Sequence, residues 1–146
     1  RDEGITDVFL APETTGRQSQ DGTLDEIIAF SEEIDGVVPT IDFAHIHART
    51  NGGLKTREDF AKILNTVEKK LGAKAIKNLH CHFTEVLFKN GNEKEHLKLG
   101  SSKGPKFELF AEEIVKRGIS PVIISESPIL DEDSLKMKEI VKKFLR

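Results

Sequence analysis

The sequence PTIDFAHIH, residues 39–47, opens as an apolar run and then turns polar. Side chains alternate between the two faces of an extended strand, which places Thr40 and Asp42 together on one face. His45 comes just past the point where so short a strand should end. A carboxylate and imidazoles at the end of an apolar strand are typical of metal sites at the rim of an α/β sheet, although a strand that runs into a polar loop gives the same pattern.

Bulk composition limits the class of protein. The chain has 146 residues, 37% of them hydrophobic and 32% charged, which predicts a single globular domain with a core. Its formal net charge of −3 gives no overall attraction to nucleic acid, so such binding requires a local basic patch. No apolar run approaches the length of a membrane span and no secretory signal is visible, so we expect no membrane contact. A single cysteine, Cys81, excludes an internal disulfide and predicts a cytoplasmic protein.

Strand-like and helix-like segments alternate four times along the chain. The predicted strands cover residues 7–13, 37–43, 75–83 and 121–125. The predicted helices cover residues 23–34, 56–71, 107–117 and, starting at Asp131 or Asp133, the segment up to 144. The segments predicted as loops include 47–54 and 84–104. This order predicts a parallel α/β sheet with right-handed crossovers, in which the carboxyl ends of all strands share one side.

The polar residues at the predicted strand ends form a candidate metal site. They are Glu13, Asp42, His80 and Glu126. Three carboxylates and one imidazole at one place require a cation to neutralise them, and mixed oxygen and nitrogen ligands suit Zn²⁺, Mn²⁺, Fe²⁺, Co²⁺ or, less well, Mg²⁺. His82 shares a face with His80, so spacing alone leaves either histidine as the inner ligand.

Three further histidines extend this site outward. His45 and His96 would supply a second metal cluster, because Asp42 and His45 lie three residues apart across the end of the strand. An exposed loop imidazole is the alternative for His96. His47 is predicted to be a rim residue that contacts substrate.

Several short segments resemble the C-terminal half of endonuclease IV, the metal-dependent abasic-site endonucleases of the xylose-isomerase-like TIM-barrel superfamily. They are LAPETTGRQS (10–19), IDFAH (41–45), IKNLH (76–80), the later His96, and SES (125–127). The resemblance covers essentially the whole chain and implies strands five to eight of an eight-stranded barrel. Residues 1–146 would then form one domain, a parallel (βα)4 half of a TIM (β/α)8 barrel. The chain begins with Arg1 and its one methionine is Met137, so we expect a piece of a longer protein.

The resemblance implies DNA with abasic sites as the substrate and a zinc cluster that cleaves the phosphodiester bond. The residues that match the metal ligands of the family are Glu13, Asp42, His45, His80, His96 and Glu126. The register of IKNLH favours His80 as the ligand, whereas the register of HFTE favours His82. Glu126, or Glu13 through a shared water, would act in catalysis by orienting the nucleophile.

The sequence departs from the family pattern in two places. The family has an Asp two residues before its outer histidine, where this sequence has Lys94, with Glu93 and Glu95 as the carboxylates that could replace it. The two histidines that the first half of the barrel contributes to another metal have no counterpart in this chain. A complete three-metal cluster therefore cannot be built from these residues alone.

Basic residues near the predicted rim loops could hold DNA phosphates. Arg17 and Arg49 are the predicted substrate-binding arginines, and Lys55 and Arg57 lie close to them in the sequence. Ordinary solvated surface charge is the alternative for each one.

Two other functions remain open. A sugar isomerase or epimerase of the same superfamily would place the same four strand-end residues around one Mn²⁺ or Co²⁺ and use Glu13 and Glu126 to exchange protons beside a carbonyl. The chain could instead be inactive alone, because four βα units leave two open sheet edges and an uncovered inner face. We therefore expect either self-association or completion by an N-terminal half-barrel.

Overall fold

The computed structural model describes residues 7–145 of the chain. Its strands are β1 (Thr40–Asp42), β2 (His80–Phe83), β3 (Glu85–Lys89), β4 (Asn92–Leu97) and β5 (Val122–Ser125). Its helices are α1 (Leu24–Glu33), α2 (Phe43–Arg49), α3 (Arg57–Leu71), α4 (Ala73–Lys77), α5 (Phe107–Arg117) and α6 (Asp131–Phe144). Within this described range, no helix is both long and apolar enough to cross a membrane.

Strands β1, β2 and β5 form a parallel sheet in that order. Asp42 of β1 lies opposite His82 of β2, and His82 lies opposite Ile124 of β5. An extended segment that ends at Glu13 continues the sheet beyond β1 through a parallel bridge to Thr40. The predicted parallel α/β architecture is confirmed, and the carboxyl ends of its strands meet on one side.

The hydrophobic core lies between this sheet and the helices α3 and α5. Ile41 and Cys81 are fully buried in the same cluster as five phenylalanine rings. The ring centroid of Phe43 lies 5.4 Å from that of Phe60 and 4.3 Å from that of Phe110. Truncating such a ring to alanine costs about 3–5 kcal/mol. Because side chains alternate along a strand, the residues between these core positions face the opposite, inner side of the sheet.

The structure confirms the predicted helices, and local capping interactions set their ends. The Thr23 hydroxyl accepts the N–H of Glu26 at 3.2 Å, and the Glu26 carboxylate accepts the N–H of Thr23 at 2.8 Å. Thr56 and Asp59 form the same reciprocal pair at the start of α3. Gly118 ends α5 in a left-handed conformation.

Two segments around the first strands differ from their predicted structure. Residues 7–13 are extended chain with isolated bridges rather than a regular strand, because Pro12 has no N–H to donate. Residues 43–49 form α2 rather than the end of a strand and a loop. The cause is the Asp42 side chain, which caps a helix directly at the end of β1.

Two later segments also differ. Residues 73–77 form the short helix α4, so the strand predicted from residue 75 begins only at His80. The predicted long loop contains an antiparallel hairpin of β3 and β4. Asn90 and Gly91 form its turn, and both have positive φ, as a two-residue hairpin turn requires.

Candidate metal centre

Asp42 is placed by hydrogen bonds that leave one of its carboxylate oxygens free. Its Oδ1 accepts the backbone N–H of His45 at 2.8 Å and so caps α2. The Thr14 hydroxyl fixes the Asp42 backbone, accepting its N–H at 2.9 Å and donating to its carbonyl at 3.1 Å. Asp42 is fully buried, yet Oδ2 has no hydrogen-bond partner within residues 7–145. A buried anionic oxygen without a donor is costly unless a cation lies beside it.

This free oxygen belongs to a set of four side chains, which we call the first ligand group. Its members, whose ligand atoms all lie within 4.8 Å of one another, are Glu13, Asp42, His82 and Glu126. His82 Nδ1 lies 2.9 Å from an oxygen of Glu13 and 3.2 Å from an oxygen of Glu126. Asp42 Oδ2 lies 3.9 Å from the same nitrogen. In the described part of the chain this nitrogen makes no hydrogen bond, so four ligand atoms crowd together in an arrangement that could hold a metal ion.

The histidine of this group is His82, which corrects the preferred prediction of His80. The strand β2 runs only from His80 to Phe83, so His82 is the histidine near its carboxyl end. The parallel register places His82 level with Asp42, and His80 level with Thr40. His80 instead lines a cavity of about 560 Å³ toward the amino ends of the strands.

A second ligand group lies beside the first and shares one residue with it. Its members are His45, His96 and Glu126. His45 Nδ1 lies 2.8 Å from the Thr14 carbonyl oxygen, and His96 Nδ1 lies 3.1 Å from the Glu126 carbonyl oxygen, so each Nδ1 carries the proton. In the neutral ring the Nε2 atom then presents a lone pair, which is the form in which histidine binds a metal. A carboxylate shared by two such groups could bridge two metal ions.

Glu93 lies between the two histidines of the second ligand group. Its two carboxylate oxygens lie 3.1 Å from His45 Nε2 and 3.0 Å from His96 Nε2. The His96 Nε2 atom is buried and has no hydrogen-bond partner among the residues that the structure describes. When the two rings are neutral, their Nε2 lone pairs face this carboxylate and repel it, and a cation between the three groups would reverse that repulsion.

A β-bulge explains why Glu93 rather than Lys94 faces His96. Glu93 and Glu95 pair with consecutive residues of β3, so Lys94 between them is an extra residue in the strand. Regular alternation would place Lys94 on the same face as His96. The bulge restores a carboxylate to that face, and so the lysine in the sequence does not oppose a cation.

Two side chains of the centre, Asp42 and His45, have raised pKa values. Burial raises the pKa of Asp42 to about 6, with Glu126 and Glu13 adding to the rise and His45 opposing it. Burial alone would lower the pKa of His45, but the charges of Asp42 and Glu93 contribute to an overall rise. Both shifts reflect an excess of negative charge in a buried place, which a divalent cation would offset.

The three predicted substrate-binding residues have different environments. Arg17 is exposed. The Arg49 guanidinium donates to the carbonyl oxygens of Arg17 and Gln20, at 3.0 Å for the latter, and so holds the loop that follows Glu13. His47 is only 4% exposed, and its Nδ1 accepts the N–H of Leu54 at 3.2 Å. This burial makes His47 a support for the loop after α2, and its contact with substrate stays a prediction.

Asp133 holds the segment that carries Glu126. It is fully buried, and its Oδ2 accepts the Ser127 hydroxyl at 2.6 Å and the Leu99 N–H at 2.7 Å. These contacts tie the chain after β5 to the chain after β4. The sequence analysis missed Asp133 and Thr14 in these roles, because no spacing rule shows a partner about 30 residues away.

Comparison with known proteins agrees with the fold. No protein-family model matches the chain. The uncharacterized protein MJ0133 of Methanocaldococcus jannaschii is 37% identical over 128 residues, which are 88% of this chain and 46% of that protein. A D-tagatose 3-epimerase-like protein has 23% identity and a TM-score of 0.60 over 99% of this chain and 48% of its own. The structure described as "The crystal structure of AsfvAP:AG" has 15% identity and a TM-score of 0.62 over 97% of this chain and 55% of its own.

These matches define the class of fold. The chain spans about half the length of the curated relative and of the solved structures that it matches. The fold is a partial TIM barrel, as predicted. Two groups of histidine and carboxylate side chains at the carboxyl ends of its strands could hold metal ions.

Proposed function

We propose that this chain carries a metal-dependent active site that hydrolyses a phosphodiester bond in DNA, as do the abasic-site endonucleases that its sequence resembles. One observation supports this above the others: Glu126 belongs to two adjacent ligand groups. Paired metal ions are a recurrent means of phosphodiester hydrolysis, whereas a sugar isomerase of the single-metal kind needs only the first group. The two imidazoles of the second group favour Zn²⁺ over Mg²⁺, and Mn²⁺ is the alternative.

The residues of the chain would hold the metal ions and orient the attacking water. When bound, the metal ions supply the positive charge that stabilises the phosphate in the transition state and lower the pKa of water. The Glu13 and Glu126 side chains are 39% and 29% exposed, so they are the ligands most open to solvent. Either carboxylate could accept a proton from the attacking water. Asp42 and His45 are buried and would keep the geometry fixed.

A sugar isomerase or epimerase is the second candidate, and a match to a solved structure favours it. The D-tagatose 3-epimerase-like protein covers 99% of this chain. The first ligand group has the two glutamates, the aspartate and the histidine that a single-metal proton-transfer site would use. Glu13 and Glu126 would then move a proton between neighbouring carbons. In this reaction the second ligand group has no role.

The two candidate functions differ in their substrate and in whether they need the second ligand group. The purified protein is incubated with abasic duplex DNA or with ketose sugars, each with Zn²⁺ or Mn²⁺ and each with EDTA. We expect metal-dependent DNA cleavage that His96→Ala lowers at least about 100-fold, because that change removes one ligand of the second metal. Conversion of a sugar that persists in the His96→Ala variant would contradict the proposal and establish the alternative.

We also propose that further βα units complete the barrel around this site. The face of β5 that carries Val122 and Ile124 continues the face of β2 that carries His82, and these two side chains are 56% and 43% exposed. An uncovered apolar sheet face favours a partner. An N-terminal half-barrel would supply it, with self-association of two copies as the alternative. Sedimentation of this chain as a well-folded, fully active monomer would contradict both.

A further inference from the structure

A basic cleft opens on the same side of the sheet as the metal centre. It is bounded by the loop after α2, by Phe88 of β3 and by the loop before α5, and its volume is about 420 Å³. Each of these two loops lies between the carboxyl end of a strand and the next long helix of the barrel. In a TIM barrel such loops form the side that carries the chemistry.

The cleft has three positive charges and no acidic lining residue. Its lysines are Lys55, Lys103 and Lys106. None of their ammonium groups has a carboxylate partner within the part of the chain that the structure describes, where the lysine ion pairs involve other lysines. Glu85, which lies under the second loop, accepts the backbone N–H groups of Gly100 and Lys103. That carboxylate therefore holds the loop, and within residues 7–145 the three ammonium groups have no carboxylate partner.

Packing around His47 fixes the walls of the cleft. The His47 ring meets the Phe88 ring edge to face, with centroids 5.4 Å apart, and accepts the N–H of Leu54. Gly104 has a φ of +79°, and a Cβ atom there would lie 3.2 Å from His47 Nε2, so the second loop approaches the ring closely. The two loops that carry the lysines thus pack on one buried side chain. Because the loops are already held, the ordering cost on binding is limited to the lysine side chains themselves.

We propose that this cleft binds backbone phosphates of a polynucleotide substrate, beside the bond that the metal centre cleaves. The inference rests on the proposed function and extends it to a substrate subsite. Lysine binds phosphate as a point charge, and three unpaired ammonium groups around one cleft match the repeating negative charges of a nucleic-acid backbone. The net charge of −3 makes a local site of this kind necessary for such a substrate.

The test replaces the three lysines together, by glutamine in one variant and by arginine in another. Binding of a short fluorescent abasic duplex is measured by anisotropy over a range of NaCl concentrations with EDTA present, and cleavage kinetics are measured with Zn²⁺. The matched control changes three exposed lysines that already pair with carboxylates, Lys62, Lys70 and Lys142, to glutamine. Thermal unfolding of each variant checks that it remains folded.

We expect the glutamine variant to lower the slope of log Kd against log salt by about 2 to 3, since each phosphate contact contributes roughly 0.7–0.9. Its KM should rise at least about tenfold, while kcat at saturating substrate changes less than about threefold. The arginine variant should keep the wild-type slope.

The results separate this inference from the proposed function. If the wild type cleaves DNA and the glutamine variant has an unchanged salt slope and KM, the cleft does not bind the phosphates. The proposed function would remain intact. An equal change of salt slope and KM in the control variant would also contradict phosphate binding by the cleft, because the effect would then come from the overall charge of the protein. Duplex binding that depends on these lysines without metal-dependent cleavage would support the cleft and contradict the proposed function.

Discussion

Asp42 and Asp133 are both fully buried aspartates, but they have opposite surroundings. Asp133 accepts hydrogen bonds from the Ser127 hydroxyl, the Leu99 N–H and, at 2.7 Å, the Lys136 ammonium group. Burial opposes ionisation there, but the hydrogen bonds from Lys136 and Ser127 outweigh it and hold the pKa of Asp133 below its ordinary value. Asp42 has an oxygen without a donor among residues 7–145, and burial raises its pKa to about 6.

The contrast shows which carboxylate the chain itself stabilises. At Asp133 the fold supplies the donors that a buried carboxylate needs. At Asp42 it places two more carboxylates nearby, those of Glu13 and Glu126, and His45 Nδ1 lies 3.5 Å from Oδ2 without a hydrogen bond. A fold keeps such an acceptor-rich cluster when something outside the chain neutralises it, and a divalent cation has the required charge.

The largest expected effect comes from removing a ligand of the acceptor-rich cluster. His82→Ala should lower metal-dependent activity at least about 1,000-fold and reduce the bound metal measured by mass spectrometry, because it removes the only histidine of the first ligand group. His80→Ala is the matched control, since it changes a histidine of the same strand that lies outside both groups. Loss of bound metal in His80→Ala with metal retained in His82→Ala would reverse the assignment.

The next prediction compares the two aspartates directly. In EDTA at pH 8, Asp133→Asn should lower the free energy of unfolding by about 2–4 kcal/mol, because it removes a charge that three donors stabilise. Asp42→Asn should raise it by about 1–3 kcal/mol, because asparagine keeps the Oδ1 acceptor that caps α2 and removes the unneutralised charge. Urea unfolding measures both. Equal destabilisation by the two substitutions would contradict the comparison.

Asp42 and Asp133 should make the free energy of unfolding of the metal-free protein depend on pH in opposite directions. The pKa of Asp42 rises from 3.8 to about 6 on folding, so the native state holds a proton that the unfolded chain has lost. The free energy of unfolding should therefore fall as pH rises from about 4 to 6, by on the order of 2–3 kcal/mol. The raised pKa of His45 acts with the same sign, since its stabilising contribution is lost as pH rises through that value.

Asp133 affects the free energy of unfolding in a separate, more acidic pH range. Its lowered pKa gives a stabilising contribution that is present above about 4 and is lost as pH falls further. Urea unfolding at several pH values, with EDTA and again with Zn²⁺, distinguishes these contributions. Zinc should remove the loss of stability between pH 4 and 6 that Asp42 causes, and a loss that zinc does not change would contradict the assignment of Asp42 as a metal ligand.

The smallest effect concerns the bulge that places Glu93. Glu93→Ala should weaken binding of the second metal ion at least about tenfold, since it removes the carboxylate between two imidazoles. Deleting Lys94 should leave that affinity within about threefold, because Glu93 then lies two residues before His96 on the same face of a regular strand. Calorimetric titration with Zn²⁺ compares the two variants. A larger loss from the deletion than from the alanine substitution would show that the bulge serves another purpose.

Local sequence patterns predicted most of the fold. The capping box of α1 and the glycine after α5 gave the helix ends, and the alternation of strands and helices gave a parallel sheet. The hairpin was missed although Asn90 and Gly91 form a strong turn signal, because the charged residues of β4 lack an apolar pattern. Helix α2 was missed because Asp42 serves both as the last strand residue and as the helix cap.

The candidate site could be predicted only in part. Glu13, Asp42 and Glu126 follow from the rule that chemistry gathers at the carboxyl ends of parallel strands. The choice between His80 and His82 depends on where β2 begins, which the short helix α4 decides. The choice of Glu93 over Glu95 depends on a bulge, which no periodicity shows.

Anomalous diffraction from a crystal soaked in Zn²⁺ would locate any metal ions in the two ligand groups. We expect one zinc peak among Glu13, Asp42, His82 and Glu126, and a second among His45, Glu93 and His96, with the Glu126 carboxylate between them. A crystal in which zinc binds elsewhere, while His82 donates a hydrogen bond to a carboxylate of its own group, would contradict this expectation.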